Sequence, residues 1–348
     1  MRPTVKRVLV VDDSSFFRQR IVDCLEADPA YRVVGCAADG RNAVALAARL
    51  EPDLVTMDVA MPVMDGIDAV RRIMQARPVP ILMISALTRA GAEATFAALD
   101  AGAADFVTKP GVADGAARER FGARLRERLA ALRCGATAIG GPAARAIGMA
   151  PLARDLARGT RGVDCIVIGA STGGPPLVGR ILAALPHDFP HPLLVAQHMP
   201  GRFTGCFAER LDGQCAIRVR LATDGARLEP ATAYIAPGGC QTVVVGRRDK
   251  RLRVVAGDEG LRYRPCIDVT FESAAAAFGP RVLGIVLTGM GDDGRAGGCS
   301  LKAVGAPVWA QDEASSTVFG MPRAVIEAGL ADAVLAGDAI APRLVAAS

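Results

Sequence analysis

The sequence predicts two α/β domains: a five-stranded doubly wound (βα)5 domain, then a larger doubly wound, mostly parallel domain with a small antiparallel portion. Three observations predict this. Short apolar runs alternate with helix-period segments from Val8 onward, as a parallel sheet wrapped by crossover helices requires. Chemistry-bearing residues recur at the ends of those runs, where doubly wound sheets bind their ligands. The composition is 51% hydrophobic but only 4% aromatic, which suits layered packing and argues against disorder.

With 348 residues, the chain is long enough for two separate cores. In residues 1–133, the runs Val8–Val11, Val33–Ala37, Leu54–Met57, Ile81–Ile84 and Asp105–Val107 read as strands. A helix after Ser14 and segments Gly40–Leu50, Gly66–Met74 and Ala92–Ala101 read as crossovers. Phe121, Leu125, Leu129 and Leu132 form a helical stripe that closes the domain. Residues 134–161, rich in Gly and Pro, read as an interdomain linker, and residues 162–348 as the second domain. Its expected strands are Cys165–Ile168, Leu193–Ala196, Val243–Val245, Arg251–Val255, Val282–Leu287 and Val308–Ala310. Polar and apolar residues alternate in Arg218-Val-Arg and Arg251-Leu-Arg-Val-Val, which predicts an antiparallel patch there.

Composition also excludes some classes. None of the nine cysteines forms a Cys-x-x-Cys pair, so neither a zinc cage nor a disulfide framework is expected. No run of 18 uncharged apolar residues occurs, and Met1-Arg-Pro-Thr-Val-Lys leads into no signal-peptide core. A soluble, reduced, cytoplasmic protein without membrane insertion is therefore expected. Residues 118–161 hold ten Arg and no Lys against Glu119, Glu127 and Asp155. No helix-turn-helix or RNA-binding pattern accompanies this stripe, so it reads as a solvated helix and hinge, with no nucleic-acid partner.

The first domain carries a phosphate-accepting pocket. Asp12, Asp13 and Asp58 lie at strand ends and make an oxygen-rich site suited to Mg²⁺. There the Asp58 carboxylate can attack a phosphoryl group, with Lys109 as a further cation and Ser85 as a small hydroxyl able to turn toward the new phosphate. A cis Lys109–Pro110 peptide would aim Lys109 into the pocket. With these five residues in place, residues 1–133 resemble a response-regulator receiver domain, which has a flavodoxin-like fold. The resemblance implies phosphorylation of Asp58 by a histidine sensor kinase. It also implies Mg²⁺ held by the side chains of Asp13 and Asp58 and by the backbone carbonyl of Ala60.

The second domain carries a hydrolytic pattern. Gly169-x-Ser171-x-Gly173 after a strand matches a nucleophile elbow, and Pro175 can start the next helix. Backbone amides at that helix start, Thr172 among them, can stabilise an oxyanion. The chain has only three histidines. His187 and His191 flank Phe189-Pro190 in a turn, whereas His198 ends the run Leu193–Gln197 at the sheet edge of Ser171. No histidine follows His198 and only Asp188 separates Ser171 from a later His, which excludes the Ser…Asp…His order of α/β-hydrolases. The acid must come from Thr288-Gly-Met-Gly-Asp292-Asp293-Gly294, where spacing alone does not separate Asp292 from Asp293.

Nearly the whole chain resembles the chemotaxis-type protein-glutamate methylesterases. The resemblance rests on Gly-Ala-Ser171-Thr-Gly-Gly, Gln197-His198-Met-Pro, Tyr234-Ile-Ala-Pro-Gly238, Arg264-Pro265, Thr288-Gly-Met-Gly-x-Asp293-Gly and Val318-Phe-Gly-Met-Pro322. It implies Asp293 as the acid and the Met290 amide in the oxyanion hole. It further implies demethylation of glutamate methyl esters and deamidation of specific glutamines on methyl-accepting chemoreceptors, with no metal in the esterase reaction. The unphosphorylated receiver is expected to cover the Ser171 face. Cys266 departs from the family's common serine, and substrate affinity is the property this is expected to affect. Two other classes compete. A dinucleotide-binding output fails Gly-x-Gly-x-x-Gly and lacks a ribose-binding acid after the next strand. A non-enzymatic output would bind DNA or protein through the Arg-rich stretch.

Overall fold

A computed structural model describes residues 5–110, 115–134, 162–246, 248–257 and 260–346. The chain divides into two compact units, Met1–Gly141 and Pro142–Ser348. The expected linker, residues 134–161, lies outside the described residues apart from Cys134, the last residue of a helix.

The first unit alternates β1 (Lys6–Val11), α1 (Ser15–Glu26), β2 (Tyr31–Ala37), α2 (Gly40–Leu50), β3 (Leu54–Asp58), α3 (Gly66–Ala76), β4 (Ile81–Ser85), α4 (Arg89–Asp100), β5 (Asp105–Thr108) and α5 (Gly115–Cys134). Its five strands are parallel, in the order β2-β1-β3-β4-β5. Helices cover both faces of such a sheet, and β3 and β4 are accordingly buried throughout. Four helices start sharply on side-chain caps: Ser14 accepts from Phe17 N, Asp39 from Asn42 N, Asp65 from Asp68 N and Thr88 from Gly91 N. Each cap is worth about 1 kcal/mol and keeps the strand-to-helix loop short. The order reverses at β1, between β2 and β3, so the crevice for a ligand opens over the ends of β1 and β3. The stripe Phe121, Leu125, Leu129 and Leu132 of α5 is buried, as its period predicts.

The second unit contains β6 (Cys165–Ala170), α6 (Gly174–Ala183), β7 (Leu193–Gln197), α7 (Gly201–Asp212), β8 (Arg218–Leu221), β9 (Thr232–Ile235), β10 (Cys240–Val245), β11 (Arg251–Ala256), α8 (Ile267–Phe278), β12 (Val282–Val286), α9 (Arg295–Ala303), β13 (Val308–Gln311), α10 (Met321–Glu327), β14 (Ala333–Leu335) and α11 (Gly337–Ala346). Seven strands form a parallel sheet in the order β14-β13-β12-β6-β7-β9-β8. The strand order turns at β6, flanked by β12 and β7, so three adjacent strands end at one crevice. Phe271 and Ile267 of α8 pack with Val167, Val286 and Leu301 in the core beneath it.

The expected patch forms from β10 and β11 alone, which pair antiparallel. Arg218–Leu221 instead joins β9 in parallel register at the edge of the main sheet. Its alternation reflects one-sided exposure of an edge strand, with Val219 buried between exposed neighbours, and carries no information about direction. The sequence reading does not anticipate β9 or β14.

Candidate functional site

Three strand ends bring Ser171, His198 and Asp293 together. Ser171 follows β6, where Gly173 turns the chain at φ 76° and the helix α6 begins. A side chain at Gly173 would run into Thr317. His198 follows β7, and its N–H donates to Ala170 O at 2.9 Å, which locks the two strand ends in register. Gln197 strengthens that join, donating from Nε2 to Ser171 O at 2.9 Å and to His198 O at 3.3 Å. His187 and His191 precede β7, at the opposite end of that strand from His198.

The imidazole lies 3.2 Å from Ser171 Oγ through Nδ1 and 2.8 Å from Asp293 Oδ2 through Nε2. A carboxylate only accepts, so Nε2 carries the proton and Nδ1 is left to accept from the Ser171 hydroxyl. Both His198 and Asp293 are almost fully covered, with side-chain exposures of 5% and 2%. Asp292 instead points to solvent and pairs with Arg295 at 3.1 Å, so the structure separates two residues that spacing does not.

Asp293 is held by four donors. Besides His198, Ile267 N donates to Oδ2 at 2.8 Å, Asp268 N to Oδ1 at 2.9 Å, and Cys266 Sγ to Oδ1 at 3.4 Å. Burial alone would raise this carboxyl, but the His198 hydrogen bond, the imidazole charge and the two amides outweigh it and hold it below the usual range. The acid therefore sits at the N-terminus of α8, where the helix dipole favours its charge. The relation is reciprocal. Asp268, in the first turn of α8, accepts from Gly294 N at 2.8 Å and Gly297 N at 2.7 Å and so caps α9. Burial pushes Asp268 up to about 6, against the pull of those amides.

Cys266 thus bears on the acid rather than on substrate, contrary to the expectation from its loop. Its thiol is buried and faces Asp293. Burial pushes it up to about 12, so it acts as a neutral donor. Cys266, Asp268 and Asp293 lie close enough to share an ion. Their carboxylate oxygens, however, are already occupied by N–H and S–H donors.

Met290 belongs to a loop pressed against the nucleophile. A Cβ on Gly289 would come within 2.8 Å of Ser171 Cβ, so only glycine permits this approach. The loop is pinned by Gly289 N to Val318 O at 3.0 Å, and by Gly320 N and Met321 N to Gly289 O at 3.0 and 2.9 Å. These contacts join the motifs around Met290 and around Phe319. Thr288 Oγ1 donates to Thr172 O at 2.9 Å, which fixes the first turn after Ser171.

The receiver pocket brings its predicted residues together at the ends of β1, β3 and β5. Lys109 Nζ lies 2.8 Å from both Asp12 Oδ2 and Asp58 Oδ2. The contact to Asp58 is a hydrogen bond. That to Asp12 has the distance but not the alignment, and Asp12 Oδ2 is buried with no hydrogen-bond partner. Burial raises Asp58 to about 6; Lys109 pulls it down and Asp12 pushes it up. Burial would lower Lys109, but its bonds to Asp12 and Asp58 raise it instead. The carboxylates of Asp12, Asp13 and Asp58 converge within 4.8 Å. An orphaned buried oxygen among hard oxygen donors fits Mg²⁺. Ala60 lies two residues beyond Asp58, exposed in the loop before α3. Ser85 Oγ donates to Gly91 O at 3.0 Å, toward the start of α4. Among the described residues the cis peptide is Arg264–Pro265 and not Lys109–Pro110, so Lys109 reaches the pocket from the end of β5 without that bend.

Sequence reading misses Asp268, Gln241 and Tyr263. Gln241 donates to Tyr263 O at 2.9 Å and accepts from Cys266 N at 2.7 Å, holding the loop before α8 against β10. The ring of Tyr263 stacks on His198. The one hint in sequence is their closeness to Arg264-Pro265.

Comparison with known proteins agrees with this arrangement. The CheB methylesterase family matches residues 166–344, and the response regulator receiver domain family matches residues 8–116. A protein-glutamate methylesterase/protein-glutamine glutaminase of Vibrio parahaemolyticus is 44% identical over 359 residues, covering 97% of each chain. One of Pseudomonas putida is 45% identical over 367 residues, covering 98% of this chain and 99% of its own. The crystal structure of the Thermotoga maritima CheB methylesterase catalytic domain is 38% identical, covers 53% of this chain and 98% of its own, and gives a TM-score of 0.51. The chain belongs to the protein-glutamate methylesterase/protein-glutamine glutaminase family, with a response regulator receiver domain ahead of its CheB methylesterase domain.

Proposed function

We propose that the protein is a phosphorylation-activated serine hydrolase. It removes methyl esters from glutamates of methyl-accepting chemoreceptors and deamidates specific glutamines. The observation that carries this reading is the Ser171–His198–Asp293 hydrogen-bond relay in a member of this family. No helix among the described residues is long and apolar enough to cross a membrane, which is compatible with work in the cytoplasm on the inner parts of receptors.

His198 Nδ1 takes the Ser171 proton as Oγ bonds to the γ-carbonyl carbon of a methylated glutamate. The negative oxygen that forms is met by the backbone amides of Thr172 and Met290. Asp293 stays ionised, accepts from Nε2–H and stabilises the charged ring. The proton on Nδ1 passes to the departing methoxy group and methanol leaves. Water then attacks the acyl-enzyme, gives a proton to Nδ1, and Ser171 leaves with it, freeing glutamate. With a glutamine substrate the departing group is ammonia.

In the receiver, Asp58 takes a phosphoryl group from a histidine sensor kinase. Asp12, Asp13, Asp58 and the Ala60 carbonyl would hold Mg²⁺, which when bound supplies charge neutralisation for phosphoryl transfer. Lys109 is already on Asp58, and the Ser85 hydroxyl is the small donor that can turn toward the phosphate. The direct test is methanol release from methyl-labelled receptor membranes, with and without a small phosphodonor and Mg²⁺. Release that rises on phosphorylation is expected. No release from folded protein in either state would overturn the esterase reading and leave a receiver with another output.

A further inference from the structure

His198 has one more neighbour. Tyr263 lies flat against the imidazole, with ring centroids 4.2 Å apart and planes 11° from parallel. The tyrosine is half-buried and reaches the site from the segment between β11 and α8. Its backbone is clamped by Gln241, which also holds Cys266 N. The Arg262 guanidinium lies over the same ring, 5.2 Å from its centroid. The hydroxyl reaches the oxyanion loop: a Cβ on Gly291 would be 3.3 Å from Tyr263 Oη. One side chain therefore touches both the base and the loop that carries Met290.

We propose that Tyr263 is a positioning residue for the ester hydrolysis, acting through His198; this rests on the esterase reading above. Two physical effects combine. The flat ring covers the imidazole and restricts its rotation, so Nδ1 stays on Ser171 while Nε2 stays on Asp293. An aromatic face also attracts a cation. The imidazole becomes a cation only once it has taken the Ser171 proton, so this attraction is stronger in the transition state than in the resting enzyme. Such a contact acts on kcat and leaves KM nearly unchanged.

The test compares the full-length wild type with Tyr263→Phe, Tyr263→His and Tyr263→Leu, each phosphorylated with a small phosphodonor and Mg²⁺. Methanol release gives kcat and KM. Proton NMR of the His198 ring, one of only three histidines, reads the stack without any substrate. Tyr263→Leu should lower kcat about tenfold with KM within about twofold of wild type. Tyr263→Phe and Tyr263→His should stay within about threefold in kcat, because each keeps a flat π face. The upfield ring-current shift of His198 should persist in wild type and Tyr263→Phe and vanish in Tyr263→Leu.

Wild-type turnover in Tyr263→Leu, a loss confined to KM, or an equal loss in Tyr263→Phe would each overturn the proposal. So would the absence of a ring-current shift in the wild type. Should Tyr263→Leu fail to fold, Tyr263→His decides, since a folded variant with kcat lowered as far as tenfold would also overturn it. Wild-type protein that releases no methanol is a different failure: it overturns the esterase reading and this inference with it, whereas variant losses against an active wild type bear on Tyr263 alone.

Discussion

The two functional pockets each centre on a buried carboxylate, and they treat it in opposite ways. Asp293 in the second unit accepts from four donors and is held below the usual carboxylate range. Asp58 in the receiver shares a single lysine with Asp12, is raised to about 6, and has beside it a buried Asp12 oxygen with no hydrogen bond. A saturated carboxylate is one that must not move or change charge during chemistry. An under-satisfied pocket leaves room for ligands that arrive later, here a metal ion and a phosphoryl group. Hydrogen-bond saturation thus separates a preorganised catalytic site from a switch.

The largest effect that would sharpen this contrast is Ser171→Ala. It should lower methanol release by at least about 10⁴-fold while leaving small-phosphodonor labelling of Asp58 intact. Equal loss of both would mean general misfolding. Asp293→Asn comes next. An amide there presents N–H groups to the donors of Ile267, Asp268 and His198, so turnover should fall by about 10³- to 10⁴-fold and the melting temperature with it.

In the receiver the same type of substitution should act in the opposite direction on stability. Asp12→Asn removes one of two carboxylates crowded on Lys109 and should stabilise the protein by about 1 kcal/mol in denaturant titration, while phosphorylation slows. A destabilised Asp12→Asn variant would break the contrast. The smallest effect is a pH dependence. Asp268 ionises at about 6 in the fold against an ordinary 3.8, so the folded state binds more protons than the unfolded chain between those values. Its contribution therefore makes the fold more stable as pH falls from about 6 toward 4. Asp293, held low, acts in the reverse sense only below its ordinary range. Asp268→Asn should flatten the stability curve in that window, and an unchanged curve would contradict the assignment.

The receiver was legible almost completely because strands buried on both faces appear as unbroken apolar runs, and Ile81–Ser85 could not be read otherwise. In the second unit, Thr232–Ile235 and Ala333–Leu335 are too short to establish a period, and Arg218–Leu221 carries the alternation of an edge. Ser171, His198 and Asp293 could be found because each follows a readable strand, and a parallel sheet delivers all such ends to one edge. Tyr263 and Asp268 follow no strand end directly. Their partners are set by how α8 packs, and Asp268 meets Gly294 across 26 residues of sequence. A side chain whose role lies in a distant contact leaves no local period to detect.

The exchange of caps between α8 and α9 has a consequence for how this site comes apart. Asp293 holds the first amides of α8, and Asp268 in that same turn holds the first amides of α9. Neither helix start can fray without releasing the other. The amide hydrogens of Ile267, Asp268, Gly294 and Gly297 should therefore exchange with deuterium at a common rate, as one cooperative unit, although they lie in two separate stretches of chain. The acid would then be lost from the relay in a single opening event, and inactivation by local melting would be all or none.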